Sequence, residues 1–259
     1  MIGIDVKKKI EDNIRNTIKE FQEREDISTK FGDPVIGYVS STNMMFDMFF
    51  SRGLSDHPKS IYRPGNTVIL HFVPYSEDIT ESNKIGNMPS EKWRRAFTES
   101  MWLSMKINGV IRRTLDSVGR LSSCANTPTD WNRDTHHENW SHKMAAFAAG
   151  MGSFGPAGSF HTKSGYGGRL SCVITDGRYA NDSEIPDSQQ LEEIYQRILT
   201  QCCYQGADNV SCSEEMIKAC PAGAISVSGI DREKCQRHCE SIDEYIPSPE
   251  VCGKCFSFK

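Results

Sequence analysis

Cysteine is the residue whose distribution points most directly to chemistry. Ten cysteines occur in the 259 residues. Two of them, Cys124 and Cys172, stand alone, and we expect both to be small buried apolar residues. The other eight crowd into the C-terminal part of the chain, and eight thiols are enough to hold two [4Fe–4S] clusters. These eight are Cys202, Cys203, Cys212, Cys220, Cys235, Cys239, Cys252 and Cys255.

The spacing of these cysteines matches a ferredoxin in part. Cys220-Pro-Ala-Gly-Ala-Ile225 reproduces the end of the bacterial ferredoxin run, in which a proline follows the last ligand. Cys235 follows at a ferredoxin-like distance, and Cys252-Gly-Lys-Cys255 is a C-x₂-C pair. We therefore predict one cluster on Cys220, Cys235, Cys252 and Cys255.

A second cluster has a weaker set of ligands. Met216 stands where the ferredoxin run would place another cysteine. Cys202 or Cys203, with Cys212 and Cys239, would have to substitute for it, so the sequence leaves one or two clusters open. A zinc site with spare thiols is an alternative, although zinc does not need the Cys-Pro-Ala-Gly-Ala-Ile element. Disulfides are disfavoured in a reducing compartment.

Two glycine-rich loops flank His161 and Tyr166. Glycine tolerates backbone conformations that other residues avoid, and it lets a ligand approach the backbone closely. We expect these loops to cradle a large cofactor, and a flexible surface connection is the alternative. A nucleotide fingerprint is excluded because the glycines follow a predicted helix rather than a strand. The glycines are Gly150, Gly152, Gly155 and Gly158, and then Gly165, Gly167 and Gly168.

The candidate proton donors lie close to these loops. Residues 130–142 concentrate histidines, aspartates and tryptophans just ahead of the first loop. A histidine titrates near neutrality and can donate a proton to a reduced substrate. We assign His161, Tyr166 and Asp134 as candidate catalytic residues, and a solvated polar loop is the alternative reading of residues 130–142.

Hydrophobic periodicity predicts the elements that position these residues. Strands are predicted over 34–39, 67–73 and 170–175, and helices over 3–25, 43–50, 90–119, 145–149 and 188–199. Apolar residues of the first helix, including Ile10, Ile14 and Ile18, recur on one face, and Ser90 is the predicted N-cap of the helix over 90–119. The apolar helix over 43–50 is predicted to be largely buried, and so is the strand over 67–73. Alternating strands and helices indicate a layered α/β or α+β domain over residues 1–195. The cysteine-rich residues 196–259 would form a second, smaller domain.

Composition excludes several classes of partner. The net charge is −4, so no basic field is available to collect nucleic-acid phosphates. No run of 18 apolar residues occurs, and the N-terminus has no signal-peptide pattern, so we expect no membrane segment and a cytoplasmic protein.

Five short motifs occur in a characteristic order: Ala148-Ala-Gly-Met-Gly-Ser-Phe-Gly155, Ser164-Gly-Tyr-Gly-Gly-Arg169, Val173-Ile-Thr-Asp176, Cys220-Pro-Ala-Gly-Ala-Ile225 and Cys252-Gly-Lys-Cys255. This order resembles the cobalamin-binding core and ferredoxin module of epoxyqueuosine reductases and corrinoid reductive dehalogenases. The resemblance implies a nitroreductase-like cobalamin-binding α/β domain followed by a ferredoxin-like iron–sulfur domain. The implied cobalamin contacts are Gly150, Gly152, Gly155, Tyr166, Gly167 and Arg169.

The resemblance also implies a reductase that acts on a small-molecule substrate, with reduced ferredoxin or flavodoxin as electron donor. Two departures argue against reduction of a tRNA epoxide. Asn126-Thr-Pro128 stands where the family carries an aspartate that donates a proton, and Gly155-Pro156 replaces a Gly-Lys pair. A non-catalytic electron-transfer or corrinoid-handling protein and a flavin-dependent reductase are the alternatives.

Overall fold

A four-stranded antiparallel sheet lies between layers of helices. The structure, a computed structural model, describes residues 5–125, 131–132, 137–180, 188–201, 212–227, 229–243 and 249–257. The strands in these ranges are β1 Val35–Ser40, β2 Thr67–Pro74, β3 Ser122–Cys124, β4 Trp131–Asn132, β5 His137–Glu138, β6 Gly152–Phe154, β7 Phe160–Thr162, β8 Gly168–Thr175, β9 Ile225–Ser226 and β10 Gly229–Ile230.

The helices belong mostly to the α/β part of the chain, and the last three belong to the cysteine-rich part. They are α1 Val6–Gln22, α2 Met44–Ser51, α3 Pro58–Ile61, α4 Glu77–Ser82, α5 Glu91–Asp116, α6 His142–Ala148, α7 Ser188–Gln201, α8 Glu214–Ala219, α9 Arg232–Ile242 and α10 Pro249–Cys252, with single 3₁₀ turns at Pro156–Gly158 and Cys255–Ser257. Among these described residues, no helix has the length and apolar composition needed to cross a membrane.

The sheet has the strand order β1-β2-β8-β3, and each neighbouring pair is antiparallel. The remaining strands form two-stranded pairs: β4 with β5, β6 with β7, and β9 with β10. The predicted mixture of strands and helices is therefore confirmed, with an antiparallel central sheet.

Both faces of the sheet are covered. Alternate residues of a strand point to opposite faces, so in β2 Val68 and Leu70 face one helical layer while Ile69 and Val73 face the other. All eight residues of β2 are buried. This explains why apolar residues occupy successive positions in its sequence instead of alternate ones, with His71 as the polar exception in the interior of the strand.

One helical layer consists of α1 and α5. The buried residues of α1 are Ile10, Ile14, Ile18 and Phe21, which recur on one face as the sequence predicts. In α5 the predicted cap is also present, since the Ser90 hydroxyl accepts a hydrogen bond from the Trp93 N–H at 3.1 Å.

The opposite layer includes α2, α6 and α7. In α2 the side chains of Phe46, Met48 and Phe49 are buried, but Phe50 is exposed, so this helix is less buried than its composition predicts. Helix α7 packs on the same core and runs through the predicted domain boundary between residues 195 and 196.

A polar cluster interrupts the apolar contact between α5 and the sheet. The Asn108 amide donates to the Ser171 hydroxyl at 2.8 Å, so its oxygen accepts from the Nε2–H of His71 at 3.0 Å. The Nδ1 atom of His71 is buried without a hydrogen-bond partner in the structure. Burial lowers the pKa of His71 to about 4, and the Asn108 hydrogen bond opposes this only in part.

This buried histidine predicts a pH-dependent stability. The ordinary pKa of histidine is 6.5, and that of His71 in the folded protein is about 4. Between these two pH values the His71 side chain binds a proton in the unfolded chain but stays neutral in the folded protein. As the pH is lowered through this window, the free energy of unfolding should therefore decrease, and His71 should account for roughly 1–3 kcal/mol of that decrease. His71→Gln, which keeps a partner for Asn108, should flatten the pH dependence in urea unfolding. Some pH dependence should remain in the variant, because the pKa of His142 is also lowered to about 4. An equal dependence of the free energy of unfolding on pH in wild type and variant would contradict the prediction.

Candidate iron–sulfur site

The four cysteines predicted to hold one cluster belong to separate elements but lie in neighbouring apolar clusters. Cys220 ends α8, and Cys235 lies in the first turn of α9. Cys252 ends α10, and Cys255 opens the 3₁₀ turn that follows. Cys220 and Cys255 pack in one apolar cluster, and Cys235 and Cys252 pack in another. Besides burial, the other three thiols all raise the pKa of Cys255, so the four lie near one another.

The electrostatics of this cysteine site favour neutral thiols. Burial, followed by the neighbouring cysteines, raises the pKa of Cys255 and raises that of Cys252 to about 11. A hydrogen bond between Cys235 and Cys239 lowers the pKa of Cys235 and raises that of Cys239. Thiolates are the form that binds iron, so several of them can coexist here only beside a compensating positive charge.

The backbone at Cys220 is arranged as a sulfur-binding turn. The Ala224 N–H donates to the Cys220 Sγ at 3.3 Å. Gly223 makes this turn with a φ of +57°, and its N–H donates to the Cys220 carbonyl at 3.1 Å. This geometry explains why small residues follow the cysteine and proline in the predicted motif.

The Cys252-Gly-Lys-Cys255 turn is fixed against α5. Gly253 has a φ of +59°, and a Cβ atom on it would overlap the indole ring of Trp93. The Trp93 Nε1–H donates to the Glu250 carbonyl at 2.9 Å. Only glycine can occupy this position, because the tryptophan lies directly against the backbone.

A buried lysine completes the attachment of this turn. Lys254 is 1% exposed, and its Nζ donates to the carbonyls of Asn83 and Ile85 at 2.8 and 2.7 Å. The Asn83 amide in turn donates to the Cys252 carbonyl at 3.1 Å. A positive charge next to the cysteines therefore also ties them to the loop after α4.

No three His, Cys, Asp or Glu side chains among the described residues lie close enough together to hold a single metal ion. A zinc ion would need its sulfur ligands about 2.3 Å away. A four-iron cluster takes one thiol per iron and so spaces its ligands more widely. The cluster on these four cysteines stays a prediction.

The ligands predicted for a second cluster separate from one another. Cys239 is buried beside Cys235 and Cys252, within the first set. Cys212 packs near Met216 and Cys220. Cys202 and Cys203 lie outside the described residues, so the second cluster stays a prediction.

Protein atoms occupy much of the space beside the predicted glycine cradle. A Cβ on Gly152 would overlap the His161 backbone, and one on Gly155 would overlap the His161 ring. One on Gly167 would overlap Thr80. These three glycines are thus explained by packing within the protein, whereas Gly150, with a φ of +67°, has open space beside it.

His161 and Tyr166 lie together, as the sequence suggests. Their ring centroids are 5.2 Å apart. The Ser159 hydroxyl is 2.9 Å from His161 Nε2, and burial lowers the pKa of His161. The Tyr166 hydroxyl donates to the Ser257 carbonyl at 3.4 Å, which connects this pair to the cysteine-bearing segment. Asp134, the third catalytic candidate, lies outside the described residues.

Arg169 also contacts the cysteine-bearing segment. Its guanidinium pairs with the Glu250 carboxylate at 3.0 Å, lies over the Phe97 ring and donates to the Phe97 carbonyl. The predicted role of Arg169 as a cobalamin contact stays a prediction, and sequence reasoning missed Trp93, Lys254 and Glu250 as residues that attach the cysteine-bearing segment. The position of Lys254 between two predicted ligands was the available signal, while nothing in the sequence marked Trp93 as more than a core residue.

No protein-family model and no curated protein matches this chain. Three solved structures with a similar backbone are epoxyqueuosine reductases. The Bacillus subtilis enzyme is 14% identical, with a TM-score of 0.46, and the match covers 89% of this chain and 56% of that enzyme. The Streptococcus thermophilus enzyme is 15% identical, with a TM-score of 0.46, and the match covers 94% of this chain and 64% of that enzyme. A selenomethionine-labelled epoxyqueuosine reductase is 14% identical, with a TM-score of 0.49 over 97% and 64%.

The chain therefore spans less than two thirds of the length of these enzymes. Identities and TM-scores in this range do not assign the chain to their family.

The contact between Gly253 and Trp93 predicts a large effect of one methyl group. Gly253→Ala should cost about 1–2 kcal/mol for its positive φ and roughly 1–3 kcal/mol more for displacing the indole ring. Gly86→Ala is the matched control, because Gly86 has a φ of +72° and nothing within 4 Å. Urea unfolding and iron content after reconstitution measure both effects. Equal losses in the two variants would show that Trp93 does not constrain the turn.

Proposed function

We propose that this chain is an iron–sulfur oxidoreductase whose cysteine site delivers single electrons to an acceptor on the α/β part. The observation that supports the proposal is that Cys220, Cys235, Cys252 and Cys255 lie near one another, in neighbouring apolar clusters of which two include residues of α5. A [4Fe–4S] cluster bound there would supply one-electron chemistry.

The residues around the site give it a fixed position relative to the α/β part. Trp93 seats the Cys252-Gly-Lys-Cys255 turn and packs edge-on against Tyr75 at 5.4 Å. Tyr166 binds the Ser257 carbonyl two residues beyond Cys255. His161 and Tyr166 therefore lie on the side of the α/β part that the cysteine segment contacts, where an electron acceptor would have to bind.

The acceptor that the sequence motifs imply is cobalamin. The described residues fit a corrin only in part: space is open beside Gly150, but His161 and Thr80 fill the space beside Gly152, Gly155 and Gly167. We therefore derive no reaction step through a corrin. We propose a corrin or a flavin at the face formed by His161 and Tyr166, and a small molecule as the final substrate.

Iron analysis tests the cysteine assignment. The reconstituted protein should contain about four iron and four sulfide per chain for one cluster and about eight for two. Cys255→Ala should remove about four of each, because a cluster that loses one of its four ligands cannot be held in place. Cys124→Ala is the control and should retain the full content. Iron content that is unaffected by Cys255→Ala, or a stoichiometric zinc content, would overturn the assignment.

Absorption spectra of the anaerobic protein test the acceptor. Cobalamin should co-elute with the protein and shift to its base-off spectrum, and Tyr166→Ala should weaken that binding without changing the iron content. A protein that retains flavin and ignores cobalamin would make flavin the acceptor. A protein that binds neither would contradict the oxidoreductase proposal and favour an electron-transfer protein.

A further inference from the structure

The solvent-facing side of α5 is positively charged although the whole chain has a net charge of −4. Helix α5 has two exposed carboxylates, Glu91 and Asp116, at its two ends. Its third carboxylate, Glu99, is buried and accepts hydrogen bonds from the backbone N–H groups of Ser28 and Thr29. Exposed positions between the two ends carry cations. These are Lys92, Arg94, Arg95, Lys106, Arg112 and Arg113.

Two of these cations form salt bridges with carboxylates. Lys92 pairs with Asp78 at 2.7 Å, and Arg95 pairs with Glu91 at 2.6 Å. In the part of the chain that the structure describes, Arg94 and Arg112 form no salt bridge. They lie 18 residues apart, which is five helical turns, and so project from the same side of α5.

Large apolar side chains are exposed between these two arginines. Trp102 is 49% exposed and Met105 is 72% exposed. Exposed Trp, Met and Arg side chains are the types that protein–protein interfaces favour. Two exposed apolar side chains of this size, three residues apart on one helix, form the apolar part of a candidate contact surface.

This surface is continuous with the cysteine site. Phe97, Met101 and Met105 form one row along α5 at four-residue spacing. Phe97 and Met101 pack against Cys239, Cys235 and Cys252. The row therefore leads from the cysteines directly to the exposed side chains of Met105 and Trp102.

We propose that the face of α5 formed by Arg94, Trp102, Met105 and Arg112, here called the α5 face, binds a small acidic one-electron carrier protein of the flavodoxin or ferredoxin type. The inference rests on the proposed function, because it supplies the route by which electrons enter the cysteine site. The reduced carrier loses one electron, and the oxidised cluster gains it. Opposite charges orient the two proteins, and the apolar side chains fill the centre of the contact.

An acidic protein suits this surface better than a nucleic acid. Only part of the charge on α5 is free, because Lys92 and Arg95 are neutralised, whereas nucleic-acid affinity requires many free cations. The adjacent cysteines also give a redox protein a reason to bind at this position.

The binding of purified flavodoxin, used as the probe, tests the proposal with the full reconstituted chain. Arg94→Glu/Arg112→Glu should raise the dissociation constant by at least about tenfold at low ionic strength, and the difference should shrink as salt is added. Arg63→Glu/Arg178→Glu is the matched control. It makes the same charge change at exposed loop positions beside the far ends of β2 and β8 and should leave binding unchanged.

A second measurement separates this proposal from the proposed function. Dithionite, a small reductant, should reduce the cluster equally in wild type and both double variants, whereas reduction by flavodoxin should slow only in Arg94→Glu/Arg112→Glu. A chain that binds no iron after reconstitution would contradict the proposed function. Flavodoxin binding could still be measured with that chain and would test the α5 face separately.

Three results would overturn the α5 face as a carrier site. One is equal flavodoxin binding by the two double variants. Another is loss of binding to a labelled single-stranded RNA in Arg94→Glu/Arg112→Glu with flavodoxin binding intact, which would assign the face to nucleic acid. The third is a wild-type dimer that Trp102→Ser converts to a monomer, which would assign the face to a second copy of the chain.

Discussion

The contact between Trp93 and the Cys252-Gly-Lys-Cys255 turn is the constraint on which the site depends. The indole lies against the Gly253 backbone and binds the Glu250 carbonyl. This contact joins the cysteine-bearing end of the chain to the longest helix of the α/β part. The cysteine site consequently belongs to the same packed unit as the central sheet, since Phe256 is buried in the core that α1 and α5 form. A redox group held in this way has a fixed distance to whatever binds the sheet.

Different parts of α5 contact the sheet, the cysteine turn and the solvent. Its sheet-facing side contributes Asn108 to the buried cluster with His71, its first turns seat the cysteine turn, and its outer side presents Arg94 and Arg112. Lys254 brings a further cation to the cysteine turn and is bound to carbonyls, while Arg169 pairs with Glu250 of the same segment. Positive charge next to a group that gains an electron stabilises the reduced state, so Lys254 would favour the reduced state of the proposed cluster.

Much of the fold could be predicted, because hydrophobic periodicity is a local property of the sequence. The spacing of Ile10, Ile14 and Ile18 identified α1, the Ser90 cap identified the start of α5, and the apolar run of β2 identified a strand buried on both faces. The prediction was less successful at α2, where Phe50 faces solvent, because the composition of a short apolar helix does not tell which residues its neighbours cover. The glycine loops were predicted to cradle a cofactor, and this stays a prediction. The atoms that approach Gly152 and Gly155 nevertheless belong to His161, a contact that no spacing rule could reveal.

By itself, the sequence determined which cysteines are candidate cluster ligands, because the Cys-Pro-Ala-Gly-Ala-Ile element and the C-x₂-C pair are local patterns with specific backbone requirements. Only the tertiary structure decided that Cys239 packs with Cys235 rather than with Cys212, and that Trp93 and Lys254 hold the Cys252-Gly-Lys-Cys255 turn in place. The physical reason is that these contacts join residues more than a hundred positions apart in several cases. Such contacts depend on how the helices pack on the sheet, and packing depends on the shapes of side chains that meet only in the folded protein.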